Sequence, residues 1–301
     1  MGITMSLMHA LKDKGVFSKS GLNVLDIGSS NLYQADAASI RNFVSGFSDG
    51  EKQPQLDITA HRLAVGAAYD PVRGGLNESF AGELIEKCGM RYLSMDIAKG
   101  YKTEVFDLNR ENLPARHRSA YDVVLNVGTT EHVLNQYNSF KVIHEAARTG
   151  GFMVHQLPVS GYTDHGYYIY ASRLFFELAS YNRYEIVDIW YDGPAAEDDL
   201  YQSARTYASS FPAMAQFSAS GSIKIPNYMI TVIYRKIHEV SFAGALETST
   251  SVGNIPVGVS AAYATTIMDK AKRVLLGSQF WRQHAGPILS LRRLIRGGES
   301  K

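Results

Sequence analysis

The chain has 301 residues, enough for one large domain or a domain with an appendage. Its 45% apolar and 20% charged content suits a folded protein with a sizeable core, and a net charge of +1 exerts no global pull on nucleic acid or an anionic membrane. Cys88 is the single cysteine, which excludes an intramolecular disulfide. The opening stretch gains charge too early for a signal peptide, and no run approaches the roughly 18 apolar residues of a spanning helix, so a cytoplasmic setting is expected.

In chain order, residues 23–27 (NVLDI) read as a first strand. Residues 91–97 (RYLSMDI) are a second, 102–108 (KTEVFDL) a short third, 121–127 (YDVVLNV) a fourth and 151–157 (GFMVHQL) a fifth. Near-continuous apolar runs of this length suit parallel strands covered on both faces. Between them, residues 77–89 (NESFAGELIEKCG) show helical spacing with Gly89 at a C-cap position. Residues 138–151 (NSFKVIHEAARTGG) behave likewise and end in Gly150 and Gly151. A further helix is expected over 172–182 and strands over 184–192 and 227–237, the last a candidate antiparallel edge. This rhythm predicts a Rossmann-like, doubly wound α/β sheet with helices on both faces.

Between Gly28 and Arg91 lie 62 residues, too many for one crossover helix. Residues 32–77 are therefore expected to form a helical insertion over the mouth of the sheet, with a helix at 38–47, a polar loop at 49–57 and a glycine-rich stretch at 66–75. Residues 1–240 are expected to form the main domain. Residues 241–301 then supply a linker and a basic amphipathic helix from about Ala261. Such a helix either packs on the domain or lies on an anionic membrane surface, such as the inner membrane face.

Open parallel sheets bind ligands beyond the carboxyl ends of their strands. Polar or small residues gather there on four strands: Asp26, Gly28, Ser29 and Ser30 after the first, Asp96 on the second, Asp107 on the third, and Asn126 with Gly128 on the fourth. A strand-end carboxylate can accept ribose hydroxyls, and a glycine lets backbone approach a ligand.

These motifs resemble the class I S-adenosylmethionine-dependent methyltransferases. The resemblance rests on LDIGSSN, SMDI, FDLN, LNVGTTEHV and EAARTGGFMVHQLP, and covers roughly residues 22–237. It implies a mostly parallel seven-stranded sheet whose last strand is antiparallel. It implies S-adenosylmethionine as cofactor, with Asp96 and neighbouring Ile97 at the ribose and Asp107 and Leu108 near the adenine. The usual turn has two or three glycines, whereas here only Gly28 remains and Ser30 stands where a glycine is common. The second and third glycines of a nicotinamide-binding G-x-G-x-x-G are also missing.

Methyl transfer to a hydroxyl calls for a group that removes its proton, and histidine suits the task. His165, in the loop GYTDHGYYIY, is the first candidate, then His132 in TTEHV, then His155 within the fifth strand. Asp164 beside His165 is too weak a signal for a metal, and none is expected. The expected function is O-methylation of a small-molecule or saccharide hydroxyl, the acceptor being a lipid-linked glycan if the tail meets a membrane. No nucleic-acid partner is expected, and the sequence is silent on oligomeric state. A non-catalytic module that keeps the fold, or a nicotinamide-dependent oxidoreductase, are the alternatives.

Overall fold

Strand β1 (Gly2–Thr4) leads into helix α1 (Met5–Asp13), capped by Thr4 Oγ1 accepting from Leu7 N at 3.1 Å. Met5, Met8 and Leu11 bury the inner face of α1. Strand β2 (Asn23–Ile27) follows, and after its turn β3 (Asn31–Tyr33) pairs in parallel with β1, Ile3 opposite Leu32. The computed structural model describes residues 2–67, 79–162, 165–193 and 227–246.

Next come helices α2 (Ala37–Ser45), α3 (Gln55–Gly66) and α4 (Ala81–Lys87), then strands β4 (Arg91–Asp96), β5 (Thr103–Val105) and β6 (Tyr121–Val127). Helix α5 (Gln136–Ala146) joins β6 to β7 (Ala147–Ser160). Helix α6 (Ser172–Asn182) and strands β8 (Glu185–Asp192) and β9 (Tyr228–Arg235) complete the described elements. The main sheet has seven strands in the order β5-β4-β2-β6-β7-β9-β8. Its pairings are parallel from β5 to β7, and β9 is antiparallel to both neighbours. The α/β class, the seven strands and the antiparallel last strand are as the sequence implied. β9 is not the edge, however. It slots between β7 and β8, where Ile230, Val232, Ile233 and Tyr234 are fully buried, while β8 takes the half-exposed edge.

The chain winds to one side of β2 through β4 and β5, then to the other through β6. The switch point therefore lies between the carboxyl ends of β2 and β6. Alternation along β2 and β6 sends Val24, Val123 and Leu125 to one face, where they join Met8, Phe43, Leu63 and Leu84 in one buried cluster. So α2 and α3 thicken the core on that face. Residues 49–57, expected as loop, supply the start of α3. Leu56, Ala60 and Leu63 recur at helical spacing, but the polar Gln55, Asp57, Thr59, His61 and Arg62 between them mask the stripe. Residues 68–78 lie outside the described residues.

The helix before β7 stops at Ala146, earlier than its glycines suggest. Lys236 takes over the capping. Its fully buried Nζ donates to His144 O at 3.1 Å and Ala147 O at 3.0 Å. Gly150 and Gly151 instead sit where the β6–β7 register shifts, and a Cβ on Gly151 would lie 3.0 Å from three backbone oxygens.

The chain divides into two units, Met1–Ser172 with Tyr184–His238, and Arg173–Arg183 with Glu239–Lys301. Within the second, Asn182 clasps Ala243, donating to its carbonyl at 2.9 Å and accepting from its amide at 2.8 Å. Of the expected linker and basic helix only residues 241–246 are described; the rest, like Asp164, lies outside the described residues. Among the described residues no helix is long and apolar enough to cross a membrane.

Candidate functional site

The two strand ends at the switch point are built alike. Asp26 is fully buried, and its carboxylate accepts from Ser30 N at 2.7 Å, Ser30 Oγ at 3.1 Å and Tyr92 Oη at 2.8 Å. Burial pushes its pKa up, against the pull of these hydrogen bonds. Asn126, also fully buried, accepts from Thr130 N at 3.3 Å. Its Nδ2 donates to Thr130 Oγ1 and to His155 Nδ1, each at 3.0 Å. Each polar side chain therefore holds the backbone four residues on and shapes its own turn.

Gly28 has φ +112°, and a Cβ there would stand 2.1 Å from Thr129 Oγ1. Thr129 Oγ1 donates to Ile27 O at 2.5 Å, closing the turn over. The space expected to admit a ligand at Gly28 is thus filled by the protein, and the glycine is required by packing and by its left-handed φ. Ser29 turns toward the β4–β5 connection, where its Oγ accepts from Tyr101 N at 3.1 Å. Ser30 is fully buried, and Gly128, at φ +67°, supplies a second tight turn.

The neighbouring strand ends are open. A cleft of about 160 Å³ is lined by Met95, Asp96, Ile97, Phe106, Asp107, Leu108, Asn109, Thr129, His132 and Val133. Asp96 Oδ1 accepts from Ala98 N at 2.9 Å, and Asp107 Oδ1 from Asn109 N at 2.8 Å. These local bonds fix both carboxyl groups while neither Oδ2 has a hydrogen-bond partner among the described residues. Ile97 is 75% exposed, a large apolar side chain standing between them in sequence and bordering the same cleft. The structure therefore gathers Asp96, Ile97, Asp107 and Leu108. It keeps Asp26, Ser30 and Asn126 buried in the fold behind them.

The three candidate histidines divide similarly. His155 is buried between the rings of Phe140 and Tyr234, and burial drives its pKa down to about 3. It does not line the cleft. His132 does, and its ring centroid lies 4.8 Å from that of His165. Burial, and then the neighbouring His165, lower the pKa of His132.

Beside this pair stands Glu131, which the Glu-His of TTEHV placed at the pocket or the helix cap without a chemical role. Glu131 is fully buried, and neither carboxylate oxygen has a hydrogen-bond partner among the described residues. His132 Nε2 lies 4.0 Å from Glu131 Oε1. Burial raises the pKa of Glu131 to about 7. Its carbonyl accepts from Tyr167 N at 2.8 Å and Tyr168 N at 3.2 Å, which pins the His165 loop to the turn after β6. Thr129, Asn109 and Val133 were also missed as lining residues, for their side chains carry no chemical signature of a site.

No family model matches the chain, and no curated protein matches it. Solved structures do resemble it at a distance. A S-adenosylmethionine-dependent methyltransferase of Archaeoglobus fulgidus is 12% identical, with a TM-score of 0.41, covering 77% of this chain and 93% of that one. The phosphoethanolamine N-methyltransferase 2 of Haemonchus contortus is 15% identical, with a TM-score of 0.40 over 77% of this chain. This chain spans about half of that enzyme, 53%. The [4+2]-cyclase SpnF is 11% identical, with a TM-score of 0.40, covering 78% of this chain and 81% of that one. Likenesses this distant carry no argument about activity, which rests on the cleft.

Proposed function

We propose that the chain is an S-adenosylmethionine-dependent methyltransferase acting on a hydroxyl group of a small molecule or saccharide. The observation that carries this reading is one cleft combining two anchored carboxylates, an exposed Ile97 and an adjoining histidine pair. Carboxylates are acceptor-only groups, so they match the donors of an adenosyl moiety. Asp96 would accept from the ribose hydroxyls and Asp107 from the adenine amino group. Ile97 and Leu108 would cover the base. The fit to a nucleoside is good on these grounds.

The cofactor, when bound, supplies an electrophilic methyl group on a sulfonium. The chain's own residues position it and prepare the acceptor. His165, or else His132, would take the proton of the acceptor hydroxyl. The lowered pKa of His132 keeps that imidazole neutral near pH 7, the form able to accept. If residues 261–301 reach a membrane, the acceptor would be lipid-linked. Flotation on anionic vesicles, lost on deleting those residues, is the corresponding test.

Calorimetry with S-adenosylmethionine tests the main reading. Binding to the wild type, weakened about tenfold or more in Asp96→Ala, is expected from the loss of a charged acceptor. A second reading is a binding module that keeps the fold without catalysis, and the closure of Gly28 by Thr129 favours it. No heat with the cofactor in either protein would leave that reading standing. A spectral response to reduced nicotinamide cofactor would instead point to an oxidoreductase.

A further inference from the structure

Glu131, His132 and His165 each offer one ligand atom, and these atoms lie within 4.8 Å of one another. We propose that this trio is a binding site for one first-row divalent transition ion, such as Zn²⁺ or Co²⁺.

The carboxylate is the strongest argument. A buried acid with neither oxygen hydrogen-bonded is costly, and polar groups left so in a dry place call for a partner. A cation between Glu131 and the two imidazoles satisfies it. The donor set decides the class of ion. Two imidazole nitrogens and one carboxylate oxygen suit first-row transition ions, whereas magnesium and calcium prefer all-oxygen shells.

The distances are within reach. Bonds of about 2.1 Å place tetrahedral ligands about 3.4 Å apart. Small rotations of the two imidazoles close the remainder, since His165 is exposed and His132 is over a third exposed.

The backbone around the trio is fixed on both sides. Besides the two tyrosine amides on the Glu131 carbonyl, His165 N donates to Tyr162 O at 3.0 Å. Gly166 passes so close that a Cβ would lie 2.9 Å from Glu131 Cγ. Tyr170 Oη donates to Gln136 Oε1 at 2.7 Å, and Gln136 Nε2 to Thr130 O at 2.6 Å. Three protein ligands leave at least one position for an outside molecule, and His132 puts that position beside the cleft. The base role proposed for His165 or His132 belongs to the metal-free chain; with the ion bound both imidazoles are ligands, so the two roles are alternatives that the metal titration tells apart. The cation site stands without reference to any cofactor.

The test uses the full-length chain freed of metal by chelation. Titration with CoCl₂, followed by visible absorption, and equilibrium dialysis against ZnCl₂ should each give one ion per chain. Glu131→Gln and His165→Ala should each weaken binding about 100-fold or more, beyond what outer-shell partners contribute. His61→Ala, at an exposed residue elsewhere, should bind as the wild type does. Metal-free melting curves of all variants report whether they fold. Glu131→Gln should fold at least as well as the wild type, because it removes a buried charge. Absence of stoichiometric binding, or equal binding by folded Glu131→Gln and His165→Ala, overturns the site. Calorimetry with S-adenosylmethionine on the same metal-free protein separates that outcome from failure of the methyltransferase reading.

Discussion

Two halves of one sheet edge handle polar strand ends in opposite ways. At β2 and β6, Asp26 and Asn126 turn inward and hold the backbone of their own turns. At β4 and β5, Asp96 and Asp107 make one local bond each and face a cleft. Residue type alone does not separate these roles. What separates them is how much of the side chain's hydrogen-bonding capacity is taken up inside the fold. Asp26 and Asn126 each hold a residue four positions on and a further side chain, Tyr92 or His155. Ala98 and Asn109 each engage one carboxylate oxygen, and the second stays available.

The contrast breaks most directly at Gly28. A methyl there meets both a left-handed φ and Thr129 Oγ1, so Gly28→Ala should cost about 2–5 kcal/mol in urea denaturation. Adding Thr129→Ala should return the steric part and leave the backbone part. A Gly28→Ala chain as stable as the wild type would mean the turn is open after all.

Asp26→Ala should cost about 2–4 kcal/mol, because Tyr92 and Ser30 lose their acceptor in a dry place. Asp107→Ala should change stability by no more than about 0.5 kcal/mol. It should instead weaken S-adenosylhomocysteine binding by about tenfold in calorimetry. Similar stability losses in both variants would erase the distinction between the halves.

His155 sharpens the same comparison through pH. Burial holds its pKa at about 3 in the folded chain, against about 6.5 unfolded. The unfolded chain therefore binds more protons between these values. This group's contribution is complete above about pH 6.5 and is lost as pH falls, by about 2 kcal/mol from pH 7 to pH 5. The raised Glu131 works the other way over the same window, so the His155 part is read as the difference between wild type and His155→Gln in how the urea midpoint changes from pH 7 to pH 5. No difference would place the acid sensitivity elsewhere.

The parallel strands were legible because burial on both faces writes continuous apolar runs, as in NVLDI and YDVVLNV. α3 was not, since its polar residues conceal a narrow buried stripe. The place of β9 between β7 and β8 was not, because periodicity carries no strand order. Asp96 and Asp107 could be picked out as strand-end acids, and their position at a cleft needed no more than the topology rule. The inward role of Asp26 depends on Ser30 beside it and on Tyr92, 66 residues on, and the filling of Gly28 by Thr129 joins segments a hundred residues apart. Glu131 was hidden for a different reason. Its signal is an unanswered hydrogen-bonding capacity, and that exists only once the surroundings are folded.

The single carbonyl oxygen of Glu131 receives the amides of both Tyr167 and Tyr168. Lifting that tyrosine-rich stretch would strip two protections in one event. The pair should therefore exchange with deuterium together, as one cooperative latch.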